Sequence, residues 1–408
     1  MKGPAFIGAL AALAIAAAEA AGPKVYVGNF KDNTVSVIDT GTGAVVATVP
    51  VVAGPHGMGI TPDGRTVYVS GDGASTVSVI DTSTDRVVRD IEVGKAPHGL
   101  ALTPDGKLAA VAVYGGDAVA VIDTARNEVI GSIPVAKPHN IAIHPDGKTA
   151  YVASQEPGKF ALVVVDLQQR SVLRSVPLDK TPRALEFGPD GRMLYFTQAG
   201  VNAIVVLDPT HDQVVAQIPV GASPHYAHFA RAGQSGLAVS QGPNELTVFS
   251  PASNTVGKVI GVGKLPHWVT ASGDGRFAYV SNEGSNDVSI VDLASGKVST
   301  VAVGNAPRKI VVQQMQSPAR GARSVGIANF AFLPAALTIV AGETVTWVNQ
   351  DAAPHAVQAK DGPSSDLLAP GTSYSRRFDK AGEFDYVCSV HPYMTGKVVV
   401  RAGGSARY

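Results

Sequence analysis

The sequence has almost no cysteine: Cys388 is the only one in 408 residues. A single thiol excludes any internal disulfide. An excess of one charge is also missing, because 33 basic residues balance 33 acidic ones. Without a basic excess or stripe, nucleic-acid binding is excluded as a function class. Helix-forming runs are scarce, and no apolar run is long enough for a membrane span. The longest apolar run of interest, Ala5 to Ala18, lies behind Lys2 and ahead of Ala18-Glu19-Ala20. That small-x-small pattern marks residues 1–20 as a secretory signal cut before Ala21, with an N-terminal anchor helix as the competing reading. The expected location is periplasmic or secreted, where a lone thiol needs protection or a role.

What the chain has in abundance is glycine, proline and valine, with 44 Gly and 27 Pro. That balance points to many short strands joined by turns. A repeat organises them. Pro-His or Pro-Arg recurs at His56, His98, His139, Arg183, His225, His267 and Arg308, with spacings of 42, 41, 44, 42, 42 and 41 residues. Each unit carries an apolar strand, a turn that is usually Pro-Asp-Gly, and a second strand, often Tyr-Val. A third strand follows that ends at Asp39, Asp81, Asp123, Asp166, Asp208 or Asp292, with Ser250 at the sixth place. A fourth strand leads to the next Pro-His. Four strands in about 42 residues predict a propeller blade. The fragment from Lys24 enters at a second strand, and Arg308–Gln313 supplies a lone first strand. Together they complete a blade, so a seven-bladed β-propeller is expected over residues 21–313. The repeats resemble the YVTN family of bacterial propellers through "YVASQ", "YVSGDGAS" and "YVSNEGSNDVSIVD".

The polar stretch 314–324 reads as a linker. Residues 325–402 then alternate as strands again and predict a small β-sandwich, which makes the whole chain all-β. In it, Cys388, His391 and Met394 fall on one short loop between "FDYV" and "GKVVV", with His355 upstream after "NQDAAP". Two imidazoles, a thiolate and a thioether form the blue-copper ligand set, whose mixed softness suits both copper oxidation states. The region resembles the cupredoxins, most closely amicyanin and plastocyanin, through "GETVTWVN", "PHAV", "YVCSVHPYM" and "GKVVV". The resemblance implies one type 1 copper on His355, Cys388, His391 and Met394, and single-electron exchange with a redox partner protein past the edge of His391. It also implies an Asn after the first histidine, where this chain has Ala356.

The propeller positions His56, His98, His139, His225 and His267, with Arg183 and Arg308, are expected to ring one mouth of the channel. Three readings of that ring stand open. It is a second copper site, in a domain order that resembles nitrous-oxide reductase without its two-cysteine copper motif. It is a pocket for a small oxyanion substrate, with the arginines as anchors and the histidines as proton donors. Or it is a structural repeat residue. The first two make the chain an oxidoreductase with a catalytic ring. The alternative is a non-catalytic electron-transfer protein whose propeller docks a partner. His144, His211 and His228 lie outside the ring register and read as surface or packing residues.

Overall fold

The computed structural model describes residues 23–230, 233–313, 323–328, 330–351 and 353–401. The 1–20 segment and all but the last two residues of the 314–324 linker lie outside them. The chain divides into two compact units, one within Gly22–Met315 and one from Gln316 onward.

Residues 24–312 form seven four-stranded antiparallel sheets. Pro307–Val312 pairs with Lys24–Asn29, setting Val25 opposite Val312 and Val27 opposite Ile310, so both ends of the repeat share one sheet. The first strands of the seven sheets lie side by side, in the order Pro55–Ile60, Pro97–Leu102, Pro138–Ile143, Pro182–Phe187, Pro224–Ala230, Pro266–Ala271 and Pro307–Val312. The last lies against the first, which closes the cycle.

The repeated residues hold this pattern for local reasons. In the Pro-Asp-Gly turns the Asp63, Asp105 and Asp190 carboxylates accept the amide of the second residue on, at 3.0–3.1 Å. The glycine takes the left-handed backbone that only glycine adopts cheaply, as at Gly64 with φ 68°. The aspartates closing the third strands also accept turn amides, as Asp39 does from Thr42 at 2.8 Å. Tyrosines of the second strands tie one sheet to its neighbour: Tyr26 donates to Asp85 at 2.7 Å and Tyr68 to Asn127 at 2.6 Å. Between the sheets the second and third strands bury valine and isoleucine side chains, giving separate apolar clusters around the cycle. The outer strands, such as Arg86–Glu92, are mostly exposed.

The second unit is a sandwich of two four-stranded sheets. One orders Ala331–Leu333, Ser324–Ala328, Glu343–Asn349 and Ser373–Phe378; the other orders Ala336–Val340, His391–Arg401, Gly382–Cys388 and Gln358–Ala359. Both sheets contain one parallel pair, because the leading segment moves from the first sheet to the second. Val325, Phe332, Trp347, Phe378, Tyr386 and Val398 fill the space between them, and Cys388 and Met394 belong to the same buried cluster. Among the described residues no helix is long and apolar enough to cross a membrane.

Candidate metal centre

The strand Gly382–Cys388 delivers Cys388 to the edge of the sandwich core, fully buried. The chain then turns over Ser389 and Val390 alone, and His391 opens the next strand directly opposite Cys388. The stretch is therefore a tight two-residue turn between paired strands, and the expected loop is replaced by hydrogen-bonded backbone. Strand pairing fixes the thiol and the imidazole against each other. Met394 follows on the same strand, with 2 % of its surface exposed.

His355, in contrast, is not on a regular strand. It forms an isolated two-way bridge with Leu368, whose carbonyl it binds at 3.1 Å. Asn349, buried at the end of Glu343–Asn349, braces that bridge by donating to the Leu368 carbonyl at 2.8 Å and to Ala353 at 2.9 Å. The result brings three donor atoms together. Cys388 Sγ lies 3.7 Å from His355 Nδ1 and 3.6 Å from His391 Nδ1, and the two Nδ1 atoms are 3.2 Å apart.

These distances fit a metal ion. Imidazole nitrogens at about 2.0 Å and a thiolate at about 2.3 Å from one centre, at near-tetrahedral angles, stand roughly 3.3–3.5 Å apart. The tautomer fits as well. His355 Nε2 donates to Asp351 Oδ2 at 2.8 Å, which puts the ring proton on the outer nitrogen and leaves the Nδ1 lone pair facing the thiol. Asp351 is itself held, accepting from the Phe330 amide at 2.9 Å. The Phe330 ring packs edge-on against His391 at 4.9 Å and His355 at 5.3 Å. A hydrogen bond from the Ala356 amide reaches Sγ at 3.4 Å, so backbone supplies a contact to the sulfur where the side chain is only a methyl. Among the described residues, His355, Cys388 and His391 form the only group of three or more His, Cys, Asp or Glu side chains with donor atoms within 4.8 Å of one another.

The ring residues do converge. His56 packs tilted against His98 at 3.7 Å between ring centres, His98 against His139 at 4.0 Å, and His225 against His267 at 3.8 Å; His56 and His267 are 5.7 Å apart. Their nitrogens are directed elsewhere, however. His98 Nδ1 donates to the His139 carbonyl at 3.0 Å, and His139 Nδ1 lies 3.2 Å from the Arg183 carbonyl. These two imidazoles thereby bridge to the next first strand. Close backbone approach accompanies this: a methyl on Gly57 would collide with the His98 carbonyl oxygen. The second-copper reading meets no cluster here, since no three ring imidazoles bring nitrogens within the distance the sandwich trio achieves. The oxyanion reading loses an anchor, because Arg308 already binds Glu283 at 3.1 Å and stacks on Phe30 at 3.6 Å. Burial, with repulsion from neighbouring cations, holds the imidazoles neutral. It pushes His98 down to about 4 and His139 and His225 to about 3, and lowers His56 and His267 well below the usual range. Proton donation by imidazolium near neutral pH is thus disfavoured. Among the described residues the buried Nδ1 atom of His267 has no hydrogen-bond partner.

Outside the ring, His211 pairs with Asp208 at 2.7 Å on the surface, and His144 packs edge-on against Phe187 at 5.1 Å. His228 is neither free nor at the surface: its Nδ1 bonds Glu186 on the neighbouring first strand at 2.9 Å. Asn349, Asp351 and Phe330 are site residues that the motif spacing did not single out. The signal for Asp351 was its place four residues ahead of His355.

Comparison with known proteins agrees with both units. Residues 319–401 match the model of copper-binding proteins of the plastocyanin/azurin family, and residues 7–103 match the YNCE-like beta-propeller model. Amicyanin-alpha of Methylorubrum extorquens is 38 % identical over 95 residues, which cover 22 % of this chain and 80 % of that protein. Plastocyanin of Scenedesmus fuscus is 42 % identical over 72 residues, covering 15 % of this chain and 74 % of the relative. The Kuenenia stuttgartiensis hydrazine synthase structure superposes with a TM-score of 0.62 at 22 % identity, over 70 % of this chain and 99 % of that one, a likeness of fold alone. The chain belongs to the plastocyanin/azurin family of copper-binding proteins, carrying that type 1 copper domain together with a YNCE-like β-propeller.

Proposed function

We propose that this is an exported electron-transfer protein in which His355, Cys388, His391 and Met394 hold one type 1 copper, and in which the propeller, read as seven blades, is a docking scaffold for a redox partner. The copper, when bound, supplies a one-electron couple. The chain's own residues do the rest. Asp351 and the Leu368 bridge fix His355, strand pairing fixes Cys388 against His391, and burial of Cys388 and Met394 keeps water from the sulfur ligands. His391 is the ligand with an edge toward solvent, between exposed Val390, Pro392 and Tyr393. That apolar rim can seat a partner close to the ligand and exclude water from the contact.

The observation that carries this reading is the convergence of one thiol and two imidazole Nδ1 atoms within 3.7 Å. The scaffold reading is favoured over a ring enzyme by the imidazoles that bond backbone carbonyls and by the commitment of Arg308 to Glu283. Export follows from the signal-like N-terminus. Voltammetry of the copper-loaded chain tests the proposal: a reversible one-electron wave should appear and should vanish in Cys388→Ser. A wave that persists in that variant would place the redox centre elsewhere.

A further inference from the structure

The cycle of first strands encloses a cavity of about 390 Å³ away from the histidines, on the side of the Pro-Asp-Gly turns. Its walls are mixed: Ile141, Ile143, Leu185 and Phe187 are apolar, and Asn140 is polar. Two charged groups also line it. Lys309 projects from Pro307–Val312, is part-exposed, and contributes to the cavity wall. Glu186 reaches the cavity from Pro182–Phe187 and is held on its far side by His228 at 2.9 Å.

The amine of Lys309 is placed unusually. Its Nζ sits 3.4 Å from the centre of the Trp268 ring and 5.4 Å from that of Tyr226, two rings that stack on each other at 3.6 Å. Among the described residues no hydrogen-bond acceptor or carboxylate pairs with it. The two ring faces favour the ammonium form, as does the charge of Glu186. Burial acts against both and lowers the amine to about 7. A large share of the amine is then neutral and nucleophilic at physiological pH.

We propose that this cavity is a binding site for a small aldehyde or ketone with an apolar or aromatic body, which Lys309 captures as an imine. The lysine nitrogen attacks the carbonyl carbon and forms the C–N bond. Glu186 relays one proton from that nitrogen to the alkoxide, which gives the carbinolamine, and then a second from the nitrogen to its hydroxyl. The C–O bond then breaks and one water leaves, with no change of oxidation state. Ile141, Ile143 and Leu185 favour the loss of water, and Phe187 gives an aromatic body an apolar contact.

The test is reductive trapping on the full-length protein, with benzaldehyde and cyanoborohydride at pH 7 and peptide mass mapping. An ordinary lysine, with a pKa of about 10.4, is neutral only about once in 2,500 molecules at that pH. Allowing for the weaker nucleophilicity of a less basic amine, the benzyl label should reach Lys309 at least about tenfold faster than any exposed lysine in the same tube. Glu186→Gln should slow labelling at Lys309 and leave the exposed lysines unchanged, and Lys309→Met should abolish the fast-labelled site. The wild-type map needs no variant to fold. Even labelling of exposed lysines with Lys309 unmodified would overturn the proposal, as would labelling of Lys309 no faster than theirs.

Discussion

Acidifying the full-length protein from pH 7 to pH 5 should remove about 6 kcal/mol of propeller stability, through His98, His139 and His225 alone. In the unfolded chain these imidazoles take up protons near their ordinary value of about 6.5. In the fold they do so only near 4, 3 and 3. Between about pH 4 and 6.5 the unfolded chain therefore binds more protons, so stability rises with pH across that window and is lost on acidification. At pH 5 each contributes about 2 kcal/mol, and His56 and His267 act in the same direction. The facing charges do not cancel this, because Arg308 repels the imidazolium form and Glu283, 3.9 Å from His267, is bonded to Arg308. The assay is urea unfolding of a Trp347→Phe variant. The chain has two tryptophans, Trp268 and Trp347, so this leaves only the propeller Trp268 to report. The fitted stability should climb by at least about 4 kcal/mol per pH unit between pH 5 and 6, which corresponds to at least about three protons bound on unfolding. A flat profile, or uptake of about one proton or fewer, would refute the reading of the ring as buried neutral imidazoles.

Other outcomes follow from the same contacts. Asp351→Ala removes the acceptor that sets the His355 tautomer, and copper affinity should fall about 10- to 100-fold in a chelator competition. Gly57→Ala forces a methyl against the His98 carbonyl oxygen and should cost roughly 1–3 kcal/mol in urea unfolding. Tyr68→Phe loses the 2.6 Å bond to Asn127 across two sheets and should cost about 1 kcal/mol in the same assay.

Much of this architecture was legible in the sequence, because it rests on local chemistry that repeats. Pro-Asp-Gly and the strand-ending aspartates each build their own turn, so their spacing gives the strands without reference to the rest of the chain. The shared sheet of Lys24–Asn29 and Pro307–Val312 could be read by counting strands at the two ends. The copper ligands could be read because Cys388, His391 and Met394 sit within one short motif. Contacts between distant segments were not legible. Ala356 showed a missing side chain but not the backbone amide that reaches the sulfur. The Pro-His repeat showed where imidazoles gather but not that His98 bonds the His139 carbonyl. Lys309 meets Trp268 and Tyr226, and shares a cavity with Glu186, only because four different first strands converge, and no motif links them. The left-handed residues two positions before the ring histidines, such as Ala96, Lys137 and Leu265, were hidden as well, since a residue before proline normally avoids that region.

The most direct test is a copper count with the visible spectrum of the full-length chain, taken beside Cys388→Ser and the triple variant His56→Ala, His98→Ala, His139→Ala. One copper per chain with an intense thiolate-to-copper absorption is expected in the wild type and in the triple variant, and neither in Cys388→Ser. Well above one copper per chain, falling in the triple variant, would contradict the placement of the metal in the sandwich alone.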